Sequence, residues 1–117
     1  MKRGQTYMIE QEENELISVA MEIIIHAGDA RSLLTEALKL AKQFDFEACE
    51  AKMRAAEKNI VLAHKAQTSV IQKEASGHSF EVSLLFIHAQ DTLMTINSEM
   101  RMAKEMIDIL KIMKGGI

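Results

Sequence analysis

Apolar residues in this chain recur at the three- and four-residue steps of a helix, and nowhere alternate with polar ones over the length of a strand. Breaks in the pattern divide it. Gly4 lies in a short polar leader, Phe44-Asp45 interrupts the next run, Ser76-Gly77-His78-Ser79 makes the clearest loop, and Gly115-Gly116 closes the pattern. The pattern predicts three helices, about Ile9 to Gln43, Asp45 to Ala75 and Phe80 to Lys114. Asp45 is the expected N-cap of the second, and Gly77 suits a position just past its end. Each helix would be roughly 45–50 Å long, and the short connections make neighbours antiparallel. The expected fold is all-α: an up-down-up three-helix bundle in one domain over residues 1–117, with 1–8 as a flexible leader.

Composition agrees. Proline and tryptophan are absent, and nine methionines join many Ala, Leu, Glu and Lys residues, all good helix formers. One interruption allows two readings. Gly28-Asp29-Ala30-Arg31-Ser32 is either a kink or break capped by Asp29 or Ser32, or a turn offering backbone N–H groups or Arg31 to an anion. The kink is the simpler of the two.

Charge narrows the function. Fourteen basic side chains against seventeen acidic ones give −3, without the basic surplus of a nucleic-acid binder. An apolar share of 48% excludes a disordered tail, and no apolar run approaches the length of a membrane span. The glutamates following Lys2 and Arg3 argue against a secretory signal. The single Cys49 has no internal disulfide partner, so a reducing cytoplasm is the expected location.

The third helix carries more apolar surface than one bundle can use. On a helical wheel, Val82, Leu85, Ala89, Leu93, Ile96, Met100, Ala103 and Ile107 form a core stripe. A second sector holds Leu84, Met102, Met106, Ile109 and Met113, together with His88, Asp91 and Thr95. A monomer buries only one stripe, so the second implies an interface. Self-association is the economical reading. A methionine-rich groove for partner helices, making the protein a non-catalytic adaptor, is the alternative.

An unpaired carboxylate in an apolar seam is costly, so Asp91 needs a cation, hydrogen bonds or a proton. If the seam is a symmetry axis, converging Asp91 copies would repel, and a divalent cation would resolve the repulsion. If it is not, Asp91 sits in water at a rim. His88 likewise reads either as a hydrogen-bonded interface residue or as a reactive one. Cys49, among Ala48, Ala51 and Met53, reads as a small packing residue.

The run Ile87-His88-Ala89-Gln90-Asp91-Thr92-Leu93-Met94 resembles the signature of the lactose/cellobiose-type enzyme IIA of the bacterial phosphoenolpyruvate-dependent sugar phosphotransferase system. Ala27-Gly28-Asp29-Ala30-Arg31-Ser32 and Ala63-His64-Lys65-Ala66-Gln67-Thr68 agree with it, as do Ile71 to Ala75 and Gly77, over about Glu12 to Leu110. The resemblance implies a homotrimer whose third helices pack about a three-fold axis. It implies that His88 accepts the phosphoryl group and that Asp91 binds a divalent cation, Mg²⁺, shared by three subunits. The implied donor is the phosphorylated histidine phosphocarrier protein. The implied acceptor is the cysteine of enzyme IIB, which passes the group to a disaccharide entering through membrane-embedded IIC. Thr92 stands where the family usually carries a second histidine, and a threonine cannot supply that positive charge. A two-component phosphotransfer domain fits less well, because Ala89-Gln90-Asp91 follows the histidine.

Phosphoryl transfer proceeds through a loose transition state in which positioning and electrostatics dominate, so hydrogen-bond donors matter more than a general base. Gln90 is the leading candidate, reaching toward a neighbouring subunit, with Thr92 and Gln67 behind it.

Overall fold

The computed structural model describes residues 2–116; the side chains of residues 2, 3 and 5–9 lie outside that description. Three helices account for almost all of it: α1 (Lys2–Lys42), α2 (Phe46–Ala75) and α3 (Leu84–Gly116). They form a rod of 73 × 20 × 18 Å.

Two boundaries follow the sequence pattern. Asp45 caps α2, its carboxylate accepting from the Ala48 N–H at 3.3 Å. After α2, Gly77 takes φ 101°, the Gly77 N–H bonds the Glu74 carbonyl, and the His78 N–H reaches back to the Lys73 carbonyl. This pair of bonds closes a helix with a left-handed residue, the conformation that glycine adopts most cheaply. The same closure ends α1, but there Phe44 is the left-handed residue, at φ 63°. Its ring lies against Phe46 and under the Lys114 ammonium, contacts that offset the backbone strain.

Three expectations need correction. First, α1 begins at Lys2 rather than Ile9, so the supposed leader is helical from there on; Met1 and most leader side chains fall outside the described residues. Its residues include no proline, and nothing in them stops a helix once it is nucleated. Second, α1 continues unbroken through Gly28 to Ser32. The amides of that stretch are therefore bonded inside the helix and form no anion-binding turn. Third, α3 begins at Leu84 rather than Phe80. Ser83 caps it, its hydroxyl accepting from the Phe86 N–H at 3.2 Å and its carbonyl from the Ile87 N–H at 3.0 Å.

The core is narrow and rich in small residues. Ala20, Ala27, Ala30 and Ala37 of α1 are fully buried, as are Ala56 and Ala63 of α2 and Ala89 of α3. Small side chains let the helix axes approach closely, and Ile23, Val70, Leu93 and Ile96 fill what remains. Cys49 is buried among them, a packing residue as its neighbours suggest. α1 packs along both other helices.

Surface ion pairs mark the relative course of the helices. Glu36 and Glu15 of α1 meet Lys52 and Lys73 of α2, so residues late in one helix face residues early in the other. Lys104 and Lys111 of α3 meet Glu57 and Glu50 of α2 in the same opposed order. Arg31 meets Glu99. Exposed pairs contribute at most about 1 kcal/mol each, so they specify register more than they add stability.

Unfolding measurements check three of these features. Gly77→Ala should cost about 1 kcal/mol of stability in urea unfolding, because the left-handed backbone no longer suits its residue. Gly28→Ala should instead gain about 0.5–1 kcal/mol, since a Cβ there meets nothing within 4 Å and alanine is the better helix former. Burial raises the Cys49 thiol above its ordinary value of 9.0. Below that value both states keep the proton; above it the unfolded chain loses its proton first, so stability should fall as pH rises past 9.0 in urea titrations. Cys49→Ala should remove that component.

Candidate functional site

The late start of α3 puts His88 in its second turn and defines which face it occupies. Buried along α3 are Phe86, Ala89, Leu93, Ile96, Met100, Ala103 and Ile107. Val82, expected in this stripe, is 88% exposed because it precedes the helix and does not follow its wheel; Phe86 takes its place. The second sector faces solvent in the single chain, with Leu84 82% and Met102 56% exposed, and Met106, Ile109 and Met113 similarly open. His88, Asp91 and Thr95 are all exposed among them.

Around His88 the chain supplies little. Among the described residues, no side chain hydrogen-bonds its imidazole, and the Asp91 carboxylate is in no ion pair. The Thr92 hydroxyl donates to the His88 carbonyl at 2.8 Å, and the Thr95 hydroxyl to the Asp91 carbonyl at 2.8 Å. The Thr92 proton is thereby committed to its own helix. His88 and Asp91 lie one turn apart, and their side chains share the open face.

Two edges bound that face. Arg31 of α1 grips Glu99 through a two-pronged pair, Nε to Oε2 at 3.1 Å and Nη2 to Oε1 at 3.0 Å. Glu99 lies within about 20° of His88 on the helical wheel, so His88 borders the groove between α1 and α3. The opposite edge, carrying Lys104 and Lys111, meets α2. Gln90 lies about 160° from His88, toward that second edge. Gln67 sits half-buried on α2 itself. One chain thus gathers His88, Thr92 and Asp91, but leaves Gln90 and Gln67 on the other side of α3. The Arg31–Glu99 fork has no counterpart among the expected site residues, because its partners are distant in the chain and no local spacing marks them.

Of the other three histidines, His64 is half-buried on α2 and two have side-chain partners. His26 Nδ1 meets the Asn59 amide oxygen at 3.3 Å, and His78 pairs with Glu12 at 3.0 Å beside the Phe80 ring. Among the described residues, no group of three acidic, histidine or cysteine side chains could hold a metal within one chain. Among them, too, no helix is long and apolar enough to cross a membrane.

An exposed, unpartnered histidine and an aspartate one turn on share an apolar helix face. The family model for the lactose/cellobiose-specific IIA subunit of the phosphotransferase system matches residues 18–111. The chain belongs to that family. The lactose-specific EIIA component of Streptococcus mutans is 42% identical over 97 residues, 83% of this chain and 93% of that protein. The N,N'-diacetylchitobiose-specific EIIA component of Escherichia coli K12 is 40% identical over 104 residues, 89% of this chain and 90% of that one. Among solved structures, the cellobiose-specific enzyme IIA of Bacillus anthracis superposes with a TM-score of 0.81 at 38% identity, over 86% of this chain and 92% of that one. A IIA(Chitobiose) determined in complex with HPr superposes at 0.75 with 38% identity, over 85% and 96% of the two chains.

Proposed function

We propose that this protein is a phosphocarrier working through His88. A ring nitrogen of His88 attacks the phosphorus carried by the phosphorylated histidine phosphocarrier protein. The donor's N–P bond breaks as the new one forms. The group then passes to the cysteine sulfur of enzyme IIB and on to a disaccharide of the lactose, cellobiose or chitobiose class entering through IIC. The setting is the cytoplasm. What carries the reading is the exposed imidazole of His88, free of internal partners, in a chain of the IIA family. A relay carrier needs such a group: accessible to two partners in turn, and of a residue type whose neutral form is available near physiological pH.

In this reading the up-down-up bundle assembles as a trimer through the open face of α3. Trimerisation covers the second apolar stripe and brings the Gln90 edge of one copy toward the His88 edge of the next. There Gln90 donates to the phosphoryl oxygens, with Gln67 in a lesser role; Thr92 would have to give up its bond to the His88 carbonyl to join them. Three Asp91 carboxylates, one per copy, would hold a divalent cation of the Mg²⁺ type. Asp91 suits that role, being exposed, unpaired among the described residues and a hard oxygen donor, while the described residues of one chain offer no group of three ligands. A bound cation would supply charge neutralisation on the axis, leaving the chemistry to His88.

Two experiments test this. Incubation with phosphoenolpyruvate and the two general phosphotransferase proteins should produce one acid-labile phosphohistidine, lost in His88→Ala; a labelled His88→Ala protein would sink the assignment. In sedimentation equilibrium the protein should be a trimer. Asp91→Leu should remain one and no longer respond to chelator, because three repelling carboxylates are replaced by apolar groups.

A further inference from the structure

The outward face of α2 takes no part in the site described above. Arg54, Lys58 and Lys65 fall within about 40° of one another on the α2 wheel, along roughly 16 Å of helix. All three are exposed, and none is in an ion pair or side-chain hydrogen bond among the described residues. By contrast, Lys52 and Lys73 at the α1 edge are paired with Glu36 and Glu15. Val61 and Leu62, 50% and 43% exposed, stand between the cations and share with Arg54 and Lys58 a shallow hollow of about 560 Å³. Glu57 is the only acid of α2 between Ala51 and Lys73, and it is drawn aside to Lys104 of α3. On α1, Glu22 and Asp29 border the seam with α2 and confine the basic strip to its outward side. A chain of net charge −3 thus carries a straight strip of unpaired cations around exposed aliphatic groups. The ion pairs set its height. Glu57 and Glu50 opposite Lys104 and Lys111 put His88 about level with Lys73, so the strip begins roughly 12 Å and ends roughly 28 Å further along the rod.

We infer that the Arg54–Lys58–Lys65 strip of α2 is a contact surface for an anionic lipid bilayer, on which the helix lies without entering it. The complementary surface is broad and negative, because the cations are strung along a line rather than gathered around one ligand. Lysine and arginine stems lie along aliphatic neighbours while their charges reach headgroup level, and each such cation near an anionic leaflet favours binding by about five-fold. Val61 and Leu62 add a little apolar contact at the same depth. His88, on another helix and displaced along the rod, stays clear of the bilayer, so the imidazole remains open to other proteins while the chain is held there. The inference does not depend on the relay role of His88.

Co-sedimentation of the intact protein with vesicles tests this. At low salt, binding to vesicles of equal parts phosphatidylglycerol and phosphatidylcholine should be about ten-fold or more stronger than to phosphatidylcholine alone, and should fall steeply with added salt. Arg54→Gln, Lys58→Gln and Lys65→Gln combined should cut that binding about ten-fold or more. Lys39→Gln, Lys42→Gln and Arg101→Gln combined remove the same charge elsewhere and should cut it about two-fold at most. Both variants should keep the wild-type sedimentation and the wild-type phosphorylation from phosphoenolpyruvate. No preference for the anionic vesicles would overturn the inference and leave the strip to an acidic protein surface. Equal losses in the two triple variants would also overturn it, because net charge rather than position would then govern binding. So would undiminished binding in the first variant, or a loss of phosphorylation there, which would tie the strip to the phosphoryl site instead.

Discussion

A three-helix rod can bury one stripe of each helix, and α3 has two. The constraint is geometric: α1 and α2 meet α3 along neighbouring edges, at Arg31–Glu99 and at Lys104–Glu57, and the arc between those edges on the far side touches neither. Any apolar residue on that arc remains in water until something else covers it. The sequence of α3 therefore carries apolar surface that one chain cannot bury. His88 and Asp91 stand on that arc, polar groups among exposed apolar ones.

The alanine-rich core makes that arc wide. With Ala20, Ala27, Ala63 and Ala89 at the contacts, the helices nest closely and the rod stays thin, 20 Å across for a length of 73 Å. Bulkier core residues would push the helices apart and wrap more of α3. Thinness also limits burial per residue, a general weakness of small elongated domains, and it adds to the advantage of association. The ion pairs along the edges hold direction and register without filling the groove.

Much of this was legible in the chain, for identifiable reasons. Asp45 and Gly77 mark boundaries because capping and left-handed closure are local and residue-specific. The second face of α3 was legible because a period of 3.6 residues needs no knowledge of partners. Phe80 misled, since an aromatic residue extends an apolar pattern even where the backbone is not helical, while the stop signal lay in the hydroxyl of Ser83. Gly28-Asp29 misled in the opposite sense: a glycine weakens a helix by only about 1 kcal/mol, less than the flanking buried residues Ala27 and Ala30 gain by staying in register. The Arg31–Glu99 fork was invisible because it joins residues far apart in sequence. So was the separation of Gln67 from His88, which depends on where α2 docks.

The delayed beginning of α3 has an electrostatic sequel. The first amides after Ser83 have no carbonyl a turn earlier to bond, so the positive pole of the helix is left at its mouth. Side chains on a helix lean toward that pole, and the imidazole in the second turn leans with them. A start at Phe80 would have moved this pole a full turn further off. By ending the preceding loop where it does, one serine hydroxyl brings a fixed partial charge near the place where an anionic group would be carried, without a lysine or arginine having to stand there.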